Sequence, residues 1–203
     1  MPNHCYTMAD ITGPIEVLDA LWAHAEQDDP ILPHYLPLPE GAVTADGAFA
    51  EGGYAAACDL WGSKWGDYDL EPVSDDRNEA EPSITIRFSS AWEPVIVGYC
   101  RLSALLGITA VLSYEDEGEL FVGSTAITDG KNVGGRDLDE ITLAALETER
   151  GVPSFPSDSQ AADYEERWQE WVEAHNDVLS ELRSDCVEAA YDCLTMYRQA
   201  QSA

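Results

Sequence analysis

Residues 83–114 read SITIRFSSAWEPVIVGYCRLSALLGITAVLSY. SITIRFSS (83–90) has the alternation of a strand, Ile96, Tyr99, Cys100, Leu102, Ser103 and Leu106 then recur at helical spacing up to Gly107, and ITAVLSY (108–114) returns to strand. With ELFVGSTAIT (119–128) this last strand forms a hairpin around Glu117-Gly118. Toward the N-terminus, HCYTMADIT (4–12) reads as a strand ending at Gly13-Pro14, followed by a helix that carries Ile15, Leu18, Leu21, Trp22 and Ala25. Pro30, Pro33, Pro37 and Pro39 cannot continue that helix and mark an extended loop. YAAACDLW (54–61) is a short helix, and the strand at 66–73 is separated from 83–90 by the acidic turn DDRNEAE. This order predicts an α+β fold: an antiparallel sheet with helices on one face.

From about 137 onward the pattern is helical only. A short helix over 137–149, a linker from Gly151 to Ser157 with two prolines, and a long helix to about Gln199, capped by Asp158 or Ser159, follow in turn. The long helix carries Tyr164, Trp168, Trp171, His175, Val178, Leu182, Cys186, Ala189, Cys193 and Tyr197 in steps of three and four. That is an apolar seam packed on a partner surface. The partner is either this chain's own sheet or a second copy, which would make a homodimer through the C-terminal helix. The chain thus divides into an α+β domain at 1–130 and an acidic helical extension at 131–203.

An apolar share of 45% and six tryptophans in 203 residues provide a core, while 39 acids against 10 bases leave a net charge of −29. A protein that neutralises phosphates needs a basic patch, so direct binding to nucleic acid or to an anionic membrane is excluded. No apolar run approaches a membrane span and no basic, apolar leader opens the chain, so a cytoplasmic location is expected. Five cysteines without a CxxC pair predict reduced thiols, with Cys186 and Cys193 on the core face of the last helix. His4, His24, His34 and His175 are scattered, so neither a metal nor another cofactor is expected. Cys5 or Cys58 as a nucleophile needs a nearby histidine and acid that linear sequence does not display. The glycines from Gly130 to Gly135 lack a phosphate-loop context, and the chain reads as a non-enzyme. Trp61-Gly-Ser-Lys-Trp65 reads as core plus a turn, the alternative being a ligand-facing aromatic pair with Lys64 as its cationic handle.

The blocks Trp61-Gly-Ser-Lys-Trp65, Phe88-Ser-Ser-Ala-Trp92 and Tyr114-Glu115 with Gly118, Phe121 and Gly123, together with Met1-Pro-Asn-His-Cys5 and Gly13-Pro14, resemble the YubB ferredoxin-like family of plasmid and phage proteins. The likeness covers roughly 1–130 and departs from the family's usual pattern at His4 and Val95. It implies a ferredoxin-like α+β fold on a mobile element and carries over no activity.

The acids are the more specific signal. Glu166, Glu170, Glu173, Asp177, Glu181, Asp185, Glu188 and Asp192 step by three and four along the last helix, facing away from its seam. Arg167, Arg183 and Arg198 are the only bases among the eleven acids from Asp158 on, although like charges at this spacing cost helix stability. One explanation is mimicry, in which carboxylates stand in for phosphates in the basic groove of a host nucleic-acid-binding protein, as an anti-restriction or anti-CRISPR inhibitor does. Glu115, Asp116 and Glu117 with Glu119, and clusters at Asp67, Asp69, Glu71 and at Asp75, Asp76, Glu79, Glu81, would extend the surface. The other explanation is adaptation to molar salt, supported by an even spread of acids (8, 10, 10 and 11 in successive quarters) and only two lysines, Lys64 and Lys131. An enzyme with an unrecognised site is the third. Screening lengths fall from about 10 Å at 0.1 M salt to about 3 Å at 1 M, and only a salt-adapted protein requires molar salt to fold. Near-UV circular dichroism is expected to show a cooperative melt at about 0.1 M salt; a tryptophan signal that is lost there and recovered near 2 M would favour adaptation.

Overall fold

The structure, a computed structural model, describes residues 3–118, 120–154, 156 and 163–202. Strand β1 (His4–Thr12) lies at the heart of the sheet. Its inward side chains Cys5, Thr7, Ala9 and Ile11 are buried while Tyr6 and Met8 are exposed, as a side-chain period of two requires. It pairs antiparallel with β3 (Ser83–Ala91) on one side and β4 (Thr109–Asp116) on the other. β2 (Tyr68–Asp75) lies outside β3, and β5 (Phe121–Thr128) and β6 (Lys131–Asp139) lie outside β4. The chain is α+β, with six antiparallel strands in the order β2-β3-β1-β4-β5-β6. Helices α1 (Ile15–Glu26), α2 (Ile31–Tyr35) and α3 (Gly53–Trp61) connect β1 to β2, and α4 (Ile96–Leu106) connects β3 to β4. Leu18, Leu21, Leu32, Trp61, Tyr99 and Leu102 from these helices share one core with the inward residues of the central strands. Tyr99 stacks on Phe88 with ring centroids 5.5 Å apart.

After α5 (Glu140–Glu149), the 39-residue helix α6 (Tyr164–Ser202) lies on the opposite face of the sheet. Val178, Leu179, Leu182 and Cys186 cover Val122 and Leu138, while Ala190 and Leu194 cover Val111 and Ala126. These sheet residues alternate with Ala110, Leu112 and Ile127, which point into the first core. Helices therefore stand on both faces and not on one. The seam from Val178 to Leu194 packs on the chain's own sheet, the first of the two partners expected for it. Toward the end of α6 the buried line runs one residue later than the expected Ala189 and Cys193, through Ala190 and Leu194. The expected cap at Asp158 or Ser159 lies outside the described residues.

Two elements escape the sequence pattern. Residues 131–139 form strand β6 rather than the start of a helical extension, so the boundary expected at 130 falls inside a hairpin. Its two-residue turn, Asp129-Gly130, has positive φ at both positions, the mirror-image turn that matches strand twist. KNVGGRDLD carries no apolar alternation because its glycines serve close packing: a Cβ at Gly135 would lie 1.9 Å from the Ser124 carbonyl oxygen, and one at Gly134 would lie 2.9 Å from Cys193 Sγ on α6.

The second is α2, inside the proline-rich stretch read as a loop. Pro30 sits at its N-cap, and the missing side-chain cap is supplied from 35 residues away: Asp67 accepts the backbone N–H of Ile31 at 3.0 Å and of Leu32 at 2.8 Å. Asp67 is only 1% exposed, which takes it out of the acidic surface expected of it. Burial pushes its carboxyl from 3.8 up to about 6, against the two N–H donors that favour the charged form. The fold thus prefers the protonated acid. Its contribution is fully present below pH about 4 and is lost as pH rises through about 6, a difference on the order of 3 kcal/mol. A carboxyl carbon-13 titration should place the Asp67 midpoint near 6 and Asp67→Asn should flatten the pH dependence of unfolding between about 4 and 6; a midpoint below about 4.5 would overturn this.

Candidate partner-binding surface

The expected acid row sits on the outer side of α6. Glu166, Glu170, Glu173, Asp177, Glu181, Glu188 and Asp192 are exposed and Asp185 is half-buried. At about 1.5 Å of rise per residue the row spans roughly 39 Å. Because the inner face is seated on β4, β5 and β6, the row is held on a rigid support along the middle and end of the helix. Arg150 takes two members, bonding Glu181 at 2.7 Å and Asp185 at 3.1 Å. Among the described residues Glu166, Glu170, Glu173, Asp177, Glu188 and Asp192 have no ion-pair partner.

The hairpin acids behave differently. Asp116 is buried, accepting the Gly118 N–H at 2.8 Å and the Asn3 side-chain amide at 3.4 Å, and is corrected from surface charge to turn residue. Glu117 accepts the backbone N–H of His4 at 3.1 Å, tying the turn to the start of β1. Glu115 forms an ion pair with Arg183 of α6. Glu119 lies outside the described residues. Elsewhere Glu71 pairs with Arg87, and Arg77 bridges Asp75 and Asp19, each at 2.6 Å. Asp69, Asp76, Glu79 and Glu81 are the exposed members of these two clusters with no ion pair among the described residues.

The tryptophan block divides. Trp61 is core, its ring N–H donating to the Leu36 carbonyl at 2.9 Å. Trp65 is exposed, and together with Trp92 it holds the Lys64 ammonium, 4.6 Å and 5.2 Å from the two ring centroids. Trp92 is in the left-handed region at φ 66°, a strained position for a bulky residue. Lys64 and Trp92 border a cleft of about 760 Å³ lined also by Tyr54, Cys58, Tyr114 and Asp137, with Tyr114 donating its hydroxyl to Asp137. No histidine is among the described lining residues beside Cys58. Cys5 is fully buried, and desolvation pushes its thiol up to about 12, which disfavours the thiolate.

On the face that carries α6, no helix among the described residues packs over the β2-β3-β1 half of the sheet. A groove of about 820 Å³ runs there beside α6, floored by Tyr6, Met8 and Ser89 and edged by Arg87, Arg183 and Val187. The histidines are not all scattered: His24 and His34 come together with ring centroids 4.5 Å apart, and His24 Nδ1 lies 2.8 Å from Asp29 Oδ2. His175 Nδ1 lies 2.7 Å from Glu147, and His4 Nδ1 is 2.9 Å from the Tyr68 hydroxyl. No helix among the described residues is long and apolar enough to cross a membrane. No protein-family model, curated protein or solved structure matches the chain.

Glu173 has Glu170 one turn before it and Asp177 one turn after it, so like charges meet on both sides. Glu173→Lys converts two repulsions into two attractions and is expected to raise unfolding stability by about 0.5–1 kcal/mol in low salt, measured by urea denaturation. An unchanged or lowered midpoint would mean that the row imposes no electrostatic cost.

Proposed function

We propose that this chain is a non-enzymatic inhibitor, acting inside the host cell, that presents the α6 carboxylates to the basic groove of a host nucleic-acid-binding protein in place of phosphates. The observation that carries this reading is the outward row itself: six carboxylates without ion pairs among the described residues, on a helix whose other side is anchored to the sheet. A structural helix gains from alternating charge, whereas a phosphate stand-in needs unneutralised anions in a line. The eight charges lie about 5.5 Å apart, sparser than the roughly 3.4 Å per phosphate along one DNA strand, so a target groove would also meet the acids on β2 and its turn. The resemblance of residues 1–130 to a family on mobile elements supports an anti-defence role. A ferredoxin-like unit in the same region is supported by the connectivity β1-α1-β2-β3-α4-β4 and by the spatial order β4-β1-β3-β2, with β5 and β6 as an addition.

Salt adaptation is the second reading, favoured by the even spread of acids, which the α6 row alone does not explain.

The test uses the full chain, tagged, at about 0.1 M salt. A nucleic-acid-binding protein should be retained and duplex DNA should displace it competitively. Replacing Glu170, Glu173 and Asp177 with Arg should weaken that binding by at least about tenfold, because it removes short-range charge-assisted contacts, while the same three-residue change at Asp76, Glu79 and Glu81 costs much less. A target without a nucleic-acid groove, or equal losses from both triples, would overturn the assignment to α6.

A further inference from the structure

His24, Asp29 and His34 are each five apart in sequence and share no helix face. A chain reversal brings them together. At the end of α1 the N–H of Asp29 bonds the His24 carbonyl at 3.0 Å and the N–H of Asp28 bonds the Ala25 carbonyl at 3.3 Å, with Asp28 left-handed at φ 51°. This is a Schellman motif, in which the residue after the left-handed position folds back beside the residue three before the cap. That contact is commonly apolar; here it sets a carboxylate against an imidazole. Asp28 is fixed in turn by accepting the Leu70 N–H at 2.7 Å. α2 follows at once, its first turn held by Asp67, and its fourth residue, His34, comes round to face His24 with rings inclined at 66°.

The donor atoms of the three side chains all lie within 4.8 Å of one another. His24 Nδ1 is shut off from water and sits 2.8 Å from Asp29 Oδ2, yet out of line for a hydrogen bond. Asp29 and His34 are exposed and free to adjust. Tetrahedral coordination with bonds of about 2.0–2.1 Å needs donor separations near 3.3 Å, within reach of small rotations of these two side chains. Two neutral imidazoles and a carboxylate are a borderline donor set suited to zinc, and three protein ligands leave a coordination position for water.

We propose that His24, Asp29 and His34 bind a divalent transition cation of the zinc class at the α1–α2 turn. The chain's net charge of −29 raises the local concentration of any cation, but among the described residues this is the cluster that brings two imidazoles and a carboxylate within reach of one ion. The ion clasps the end of α1 to α2 and keeps an open position facing solvent.

The test is calorimetric titration of the chelator-treated full chain with Zn²⁺ alone, in millimolar Mg²⁺ to occupy surface carboxylates. One saturable site per chain is expected. His34→Ala and Asp29→Asn, both at exposed positions and with melting curves unchanged in the metal-free state, should each weaken it by more than about tenfold, whereas Asp177→Asn should leave it intact. Co²⁺ should give the visible absorption of a four-coordinate ion in the native chain and lose it in His34→Ala. The proposal is overturned if either ligand variant binds Zn²⁺ like the native chain, or if Mg²⁺ abolishes all binding.

Discussion

With 39 acids against 10 bases, this chain cannot satisfy its acids through ion pairs alone, and the fold places several of them on backbone amides instead. Asp67 takes two N–H groups of α2, Asp116 and Glu117 close the β4–β5 turn, Asp28 holds Leu70 of β2, and Asp139 caps α5 through Thr142 at 2.8 Å. Each bond satisfies a backbone donor at or near an element end, and where the carboxyl is ionised it makes the bond stronger than a neutral acceptor would. Acidity here is therefore partly architectural. Without it α2 would lose its cap and the hairpin its tie to β1.

The scarce arginines sit where two elements must be joined. Arg77 links the β2–β3 turn to α1 through Asp19, Arg87 links β3 to β2, Arg183 links α6 to β4, and Arg150 links the end of α5 to α6. What remains on the outer side of α6 has no such duty among the described residues, and this separates its acids from those of the turns. The Lys64 ammonium lies against two exposed indoles, and Arg77 lies over the Trp22 ring, so cations are also placed close to aromatic surface.

Strands β1 and β3 and helices α1, α3 and α4 were legible because each turns its apolar residues to the first core, so they repeat with the element's own period, and β4, buried on both faces, was legible as a short continuous apolar run. β6 was not, since Gly134 and Gly135 are selected by how closely β5 and α6 approach; the only local signal was the dipeptide Asp129-Gly130 at the turn. α2 was hidden because its capping group, Asp67, is remote in sequence. The acid row was legible from helical spacing alone, but its neutralisation by Arg150 was not, nor was the burial of Asp116. The His24, Asp29 and His34 cluster could not be read from spacing, because it depends on a left-handed Asp28 where glycine is the usual signal.

The split of the sheet between two sets of helices also orders events in time. α1 to α4 precede the completion of β4, so the first core can close while synthesis continues. Val111, Val122, Ala126 and Leu138 must wait for residues 178–194 of α6. At roughly 5 to 20 residues per second, that leaves an apolar strip uncovered for several seconds on each nascent chain. High net charge keeps neighbouring chains apart during that interval, so the carboxylates of the segments already made protect the unfinished chain from aggregation.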